Sequence, residues 1–230
     1  VSGNDSSQHD PFSIIVIGAP ADGVETLTQL VKLLPRELNA AVLVLLHFPS
    51  YGKSVLPTIL SRAGTLPAKH PEDGEALRSR HIYVAPPDYH LVIEPDRVRL
   101  SHSPKENGHR PAIDPLFRSA AMAYQKRVIG VILTGLLDDG TAGLAMIKQK
   151  GGIAIAQDPE EAMFNGMPTS AIANVAVDYV LPVAEIASVL VERSNNQTSN
   201  RAMDNKRDPE VEIIRLLAKV RKFLLESICS

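Results

Sequence analysis

Three short segments hold the side chains that could do chemistry: Gly-Ala-Pro-Ala-Asp-Gly at 18–23, His-Phe-Pro-Ser-Tyr-Gly at 47–52 and Thr-Gly-Leu-Leu-Asp-Asp-Gly at 134–140. Each follows a continuous apolar run that reads as a buried strand. Ligands bind beyond the carboxyl ends of strands in an open parallel sheet, so loops distant in sequence meet there. His47 offers an imidazole, and Asp138 and Asp139 offer carboxylates. An imidazole oriented by a carboxylate works as a general base near neutral pH, which makes up the second and third parts of a nucleophilic triad. The first segment is where the nucleophile belongs, yet it has no hydroxyl, and Pro20 stands at the apex of its turn. Plainer roles compete with this one. On residue type alone His47 reads more readily as an ordinary loop histidine, and either aspartate as a cap for the helix that opens at Thr141. A phosphate loop is disfavoured because 18–23 lacks the Lys-Ser/Thr ending. The spacing of His102 and His109 matches no standard metal pattern, so a solvated loop is the stronger reading and no metal or cofactor is expected.

The elements that must position these loops follow from hydrophobic period. Ile14 to Ile17 form the first strand, and Asp22 with Glu25 three residues later reads as a capping pair opening a helix. That helix carries Val24, Leu27, Leu30, Val31 and Leu34 at helical spacing and stops at Pro35. Residues 41–46 form a second strand, and 54–61 a short helix that holds Pro57 in its first turn. Between 66 and 100 the apolar runs become short and partly alternating at 66–70, 81–85, 90–94 and 97–100. These read as antiparallel strands, the last two joined as a hairpin through Pro95-Asp96. A polar loop at 101–111 leads to a helix over 114–124, a third long strand at 128–133, a helix at 141–150 closed by Gly151-Gly152 and a strand at 153–156. A loop over 157–168, a short helix to Asn174, a strand at 178–181 and a helix at 183–193 complete the domain. The alternation predicts a doubly wound, mainly parallel α/β sheet flanked by helices, Rossmann-like, with a small antiparallel insertion. Residues 194–208 read as a polar linker, and 209–230 as an amphipathic helix, or the start of a further region, with Ile213, Leu216, Leu217, Val220, Phe223 and Leu224 on one stripe.

Bulk properties exclude several classes of function. A net charge of −2 supplies no basic field for nucleic acid or anionic lipid. The single cysteine, Cys229, cannot form an internal disulfide, which fits a reducing compartment. No apolar run approaches a membrane span and the first residues are unlike a signal peptide, so a cytoplasmic location without membrane insertion is expected.

The motifs together resemble the chemotaxis protein-glutamate methylesterase family, in its CheB-type catalytic domain, over residues 12–193. The matching blocks begin with Ile17-Gly18-Ala19 and Gly23, His47-Phe48-Pro49, Glu72-Asp73-Gly74, and Ile82-Tyr83-Val84-Ala85-Pro86 with His90. They continue with His109-Arg110-Pro111, Asp114 and Leu116-Phe117, then Leu133-Thr134-Gly135 with Asp139-Gly140. Ile155-Ala156-Gln157-Asp158 and Gly166-Met167-Pro168 with Ala171-Ile172 close the series. The resemblance implies hydrolysis of glutamate methyl esters on chemotaxis receptors, and glutamine deamidation in some members, through a Ser, His and Asp triad without a cofactor. It places the histidine at His47 and the aspartate at Asp139, and it places the serine at Pro20. Ala21, Gly135, Leu136, Gly166 and Met167 fall at positions implied to bind substrate. Two departures stand out: Pro20 has neither hydroxyl nor backbone N–H, and Leu137 replaces a glycine of the family's Thr-Gly-Met-Gly segment.

The resemblance implies a carboxylic ester hydrolase, while the residue at the nucleophile position has no hydroxyl. Three outcomes therefore stand open. One is a pseudoenzyme that still recognises receptors. Another is a residual hydrolase in which His47 and Asp139 activate water or a nearby hydroxyl such as Ser50 substitutes, and the third is a pure binding or oligomerisation module. An error at the Pro20 codon would restore an active esterase. The implied partners are the cytoplasmic helices of methyl-accepting receptors and a receptor methyltransferase. The resemblance is to forms that stand alone, without a receiver domain.

Overall fold

The computed structural model describes residues 12–47 and 54–204. Strand β1 (Ser13–Pro20) is wholly buried until its last residue, as four consecutive β-branched side chains demand. It is followed by a 3₁₀ turn (Ala21–Gly23) and helix α1 (Val24–Lys32), then β2 (Ala40–His47), α2 (Leu56–Ala63), β3 (Ala68–Lys69) and β4 (His81–Val84). A hairpin of β5 (His90–Glu94) and β6 (Arg97–Ser101) leads into α3 (Ile113–Tyr124). The chain continues through β7 (Val128–Ile132), α4 (Thr141–Gln149), β8 (Ile153–Gln157), α5 (Gly166–Asn174), β9 (Tyr179–Leu181) and α6 (Val183–Asp204). Seven strands form one parallel sheet in the order β3-β4-β2-β1-β7-β8-β9, and β5 and β6 pair separately as an antiparallel ribbon. The doubly wound class expected from the alternation is therefore the architecture found. The strand order reverses between β1 and β7, the switch point at which such sheets leave a crevice.

Alternating side chains divide the sheet between two cores. Ile15, Ile17 and Ala19 of β1 pack with Val42, Val44 and Leu46 of β2 against α1, α2 and α6. Ile14 and Val16 pack with Ala41, Leu43 and Leu45 against α3, α4, α5 and the hairpin. Registered neighbours on adjacent strands project to the same face, and Pro20 is registered with His47. By parity, both continue the face covered by α3. On that face Gly18 leaves room for α3 to start: a Cβ at Gly18 would fall 2.7 Å from both Cδ1 and Cγ2 of Ile113, and one at Gly140 would fall 2.7 Å from the same Cγ2. Gly18→Ala is expected to push Ile113 and the start of α3 outward, destabilising the domain by about 1–3 kcal/mol as overpacking does; a urea titration read against the parent reports it.

Several sequence expectations need correction. Residues 68–69 and 81–84 do not join the antiparallel insertion; both enter the main sheet as parallel strands. Ile82, Tyr83 and Val84 are buried on both faces, and a short run of this kind carries no period that separates the two sheet types. Pro20 is not the apex of a turn but the last residue of β1. Asp22 and Glu25 form no capping pair, because Asp22 lies exposed in the 3₁₀ turn and α1 is preceded by Gly23 without a side-chain cap. The helix expected to end at Arg193 runs on through the first part of the expected linker to Asp204. A fall in apolar content does not stop a helix; a breaker does, and none occurs before Pro209. The expected amphipathic helix at 209–230, and Phe48, Pro49 and Ser50 of the second loop, lie outside the described residues.

Candidate active site

His47 ends β2, and Asp139 sits in the loop between β7 and α4. The two meet across 92 residues of sequence, His47 Nε2 lying 2.7 Å from Asp139 Oδ2, with both side chains buried or nearly so. The carboxylate accepts, so Nε2 carries a proton, and in the neutral ring the lone pair is then on Nδ1. The structure also chooses between the two aspartates. Asp138 is exposed and contributes its backbone carbonyl to Thr141 N–H at 3.1 Å, while Gly140 precedes α4 with no side-chain cap. Neither aspartate caps that helix through its side chain.

Asp139 caps a different helix. Its Oδ2 accepts the Ile113 N–H at 2.8 Å and its Oδ1 accepts the Asp114 N–H at 3.3 Å, so the carboxylate closes the first turn of α3. Asn107 Nδ2 donates to Oδ1 at 2.7 Å. Burial works to raise this carboxyl, but the hydrogen bonds from His47, Ile113 and Asn107 outweigh it and hold it below the ordinary carboxylate range. Asp114 goes the other way: burial first, and then the neighbouring Asp139 charge, push it up, against hydrogen bonds from the Gly143 amide at 2.6 Å and Asn107 at 2.9 Å. Two carboxyls in one pocket thus differ in proton affinity through their surroundings alone.

The rim of the crevice is built by two loops tied together. Gly135 N–H donates to Phe164 O at 2.7 Å, Met167 N–H donates to Gly135 O at 2.8 Å, and the Thr134 hydroxyl exchanges hydrogen bonds with the Phe164 backbone. Of the residues implied to bind substrate, Ala21 and Leu136 are exposed. Gly135 is buried with Met167 packed where its side chain would be, so Met167 supports the rim from below. A Cβ at Gly166, at the start of α5, would come within 3.0 to 3.3 Å of the backbone of residues 135–137, a tight fit. Leu137 adopts a left-handed backbone at φ 65, the conformation that a glycine takes without cost, and its side chain is 73% exposed. Leu137→Gly is expected to relieve that strain, raising stability by about 0.5–1 kcal/mol once the greater freedom of unfolded glycine is offset; the shift in thermal midpoint measures it.

His102 and His109 do not converge. His102 Nε2 lies 3.0 Å from Asp88 Oδ2 with its ring edge on Tyr89, whereas His109 stacks on His47 with ring centroids 3.9 Å apart and planes within 5°. Burial and then the neighbouring His47 lower the proton affinity of His109, against the pull of Asp139. No cluster among the described residues could hold a metal ion. His90, from a matching motif, is a structural residue: Nε2 lies 3.0 Å from Pro104 O and Nδ1 accepts the Ala112 N–H at 3.3 Å, tying the long loop to the start of α3. Sequence reasoning gave no site role to Asn107. The Asn-Gly pair at 107–108 was its available signal, since that dipeptide favours a tight turn that would bring the side chain back over the site.

The fold and the site define an α/β domain built around a buried His–Asp pair at the switch point of a parallel sheet. More specifically, the chain belongs to the CheB methylesterase family, whose model matches residues 15–190. A Leptospira interrogans relative named as a putative protein-glutamate methylesterase/protein-glutamine glutaminase is 37% identical over 191 residues, which cover 83% of this chain and 99% of that protein. The protein-glutamate methylesterase/protein-glutamine glutaminase of Pyrococcus horikoshii is 34% identical over 182 residues, 77% of this chain but only 50% of its own length. Among solved structures, the catalytic domain of Thermotoga maritima CheB methylesterase superposes with a TM-score of 0.75 at 36% identity, covering 79% of this chain and 98% of that one. No described helix is long and apolar enough to cross a membrane.

Proposed function

We propose that this chain is a methylesterase-family domain that engages the glutamate-bearing helices of chemotaxis receptors in the cytoplasm, beside a receptor methyltransferase, without forming an acyl-enzyme. The observation that carries this reading is the register of Pro20 with His47. His47 is oriented by Asp139, and the residue beside it on the same sheet face is one that has no attacking oxygen. Proline also has no N–H to offer a developing oxyanion. In this reading Pro20 stands at the family's nucleophile position, His47 and Asp139 persist as the base and its orienting carboxylate, and Ala21 and Leu136 line the approach.

The intact 2.7 Å His47–Asp139 bond favours one second reading, slow hydrolysis by a water that His47 activates directly. Release of methanol from methylated receptor separates the two. The first reading expects receptor binding with turnover at background for the chain as it stands. Turnover that disappears in His47→Ala supports the second, and loss of receptor binding altogether sinks both.

A further inference from the structure

The turn at residues 106–109 is built to deliver one amide group to the site. Glu106 N–H donates to His109 O at 3.1 Å and His109 N–H donates back to Glu106 O at 2.8 Å, closing a two-residue loop. Its central residues, Asn107 at φ 50 and Gly108 at φ 78, are both left-handed, as a tight hairpin turn of this length requires. Arg118 of α3 holds the turn down, its Nη2 reaching both Glu106 carboxylate oxygens at 2.9 and 2.7 Å. From that position the Asn107 amide nitrogen spends its two protons on two carboxylates: Asp139 Oδ1 at 2.7 Å and Asp114 Oδ2 at 2.9 Å.

Two carboxylates in one pocket tend to share a proton and to titrate as a pair. An amide NH₂ between them satisfies both with donors and takes that proton's place. We propose that Asn107 is a positioning residue: its amide fixes the Asp139 carboxylate in the orientation that meets His47 and keeps Asp114 from competing for it. This deepens the reading of His47 and Asp139 as the working pair and rests on it. The charged and titratable groups around the amide are Asp139 from the loop before α4, Asp114 and Arg118 from α3, His47 from β2, and Lys105, Glu106 and His109 from its own loop. The carboxylates on either side accept from other groups as well, Asp139 from Ile113 and Asp114 from Gly143. Among the described residues, Asn107 is therefore the one side-chain donor common to both.

The experiment is a carbon-13 carboxyl titration of the full chain, with the imidazole nitrogens of His47 followed by nitrogen-15 shifts. Asn107→Gly keeps the left-handed turn and removes the amide, and Asn107→Asp keeps the size and replaces the donor with a third carboxylate. Both variants are expected to move the Asp139 midpoint upward, further in Asn107→Asp, with Asp139 and Asp114 merging into a coupled two-step titration. The His47 shifts are expected to lose the pattern of a single Nε2–H tautomer. Unchanged Asp139 and Asp114 titrations together with an unchanged His47 pattern in either folded variant would overturn the proposal. No part of the measurement needs turnover, so a negative titration leaves the proposed function standing, and failure of receptor binding or hydrolysis leaves the titration as it was.

Discussion

Pro20→Ser is expected to raise hydrolysis of methylated receptor glutamates by several orders of magnitude, toward the roughly millionfold that a missing triad nucleophile costs. The backbone is ready for the exchange: Pro20 sits at φ −79 and ψ 179, extended values that any residue adopts. The space is ready too, since serine is smaller and removes the Pro20 Cδ that now lies toward Gly135 and Gly23. A serine side chain there would share the sheet face of His47, whose Nδ1 carries the ring's lone pair while Nε2 is held by Asp139. The same change restores a backbone N–H at the strand end. Methanol release from methylated receptor is the readout, and the gain must vanish in the double variant Pro20→Ser/His47→Ala. A Pro20→Ser chain that binds receptor and remains inert would refute the assignment of Pro20 to the nucleophile position.

The second large effect is on stability. In Asp139→Asn, an amide NH₂ must face at least one pair of donors, because every group around the carboxylate donates: His47 Nε2, Ile113 N, Asp114 N and Asn107 Nδ2. Leaving buried donors unsatisfied in this way is expected to cost about 3 kcal/mol, or about 6–12 °C in thermal midpoint for a domain of this size. The pH dependence carries a signature. Asp139 has a lowered folded-state pKa, so its contribution is present above the ordinary carboxylate range and is lost as pH falls through the folded value. Asp114, with a raised pKa, contributes in the opposite sense: its share is full below the ordinary carboxylate value and is lost as pH rises through the raised one. Asp139→Asn is therefore expected to flatten the acid limb below the ordinary carboxylate range and, because the Asp139 charge is part of what raises Asp114, to reduce the opposite limb above it to the share that burial supplies. Chemical denaturation across pH measures both, and an acid limb as steep in the variant as in the parent would rule out Asp139 as its origin.

Much of the fold was legible because burial writes itself locally. The runs ending at Ile17, Leu46 and Leu133 hold no polar residue and are rich in β-branched or aliphatic side chains, as strands covered on both faces are, and all three became central strands. What was not legible had weak local signals. Residues 81–84 were too short for their period to tell a parallel strand from an antiparallel one. The Asp22 and Glu25 pair obeyed the spacing of a cap, but the strand ran on through Pro20 and a 3₁₀ turn took the place where the cap would have formed. At the site, His47 was visible as a histidine at a strand end. Its choice of Asp139 over Asp138 was not visible from spacing, because adjacent residues in a loop can face opposite ways.

The sequence by itself determined the alternation of strand and helix, the strand ends at which chemistry could gather, and the chemical fact that residue 20 carries no hydroxyl. These depend on residue type and near neighbours, which a linear chain displays in full. Only the tertiary structure decided that β1 and β7 form the switch point, that Asp139 turns inward to cap α3 while it holds His47, and that Asn107 reaches two carboxylates at once. Those outcomes depend on contacts between residues far apart in the chain. Their geometry is fixed by how the layers pack, with Ile113 seated over Gly18 and Gly140, and not by any spacing along the sequence.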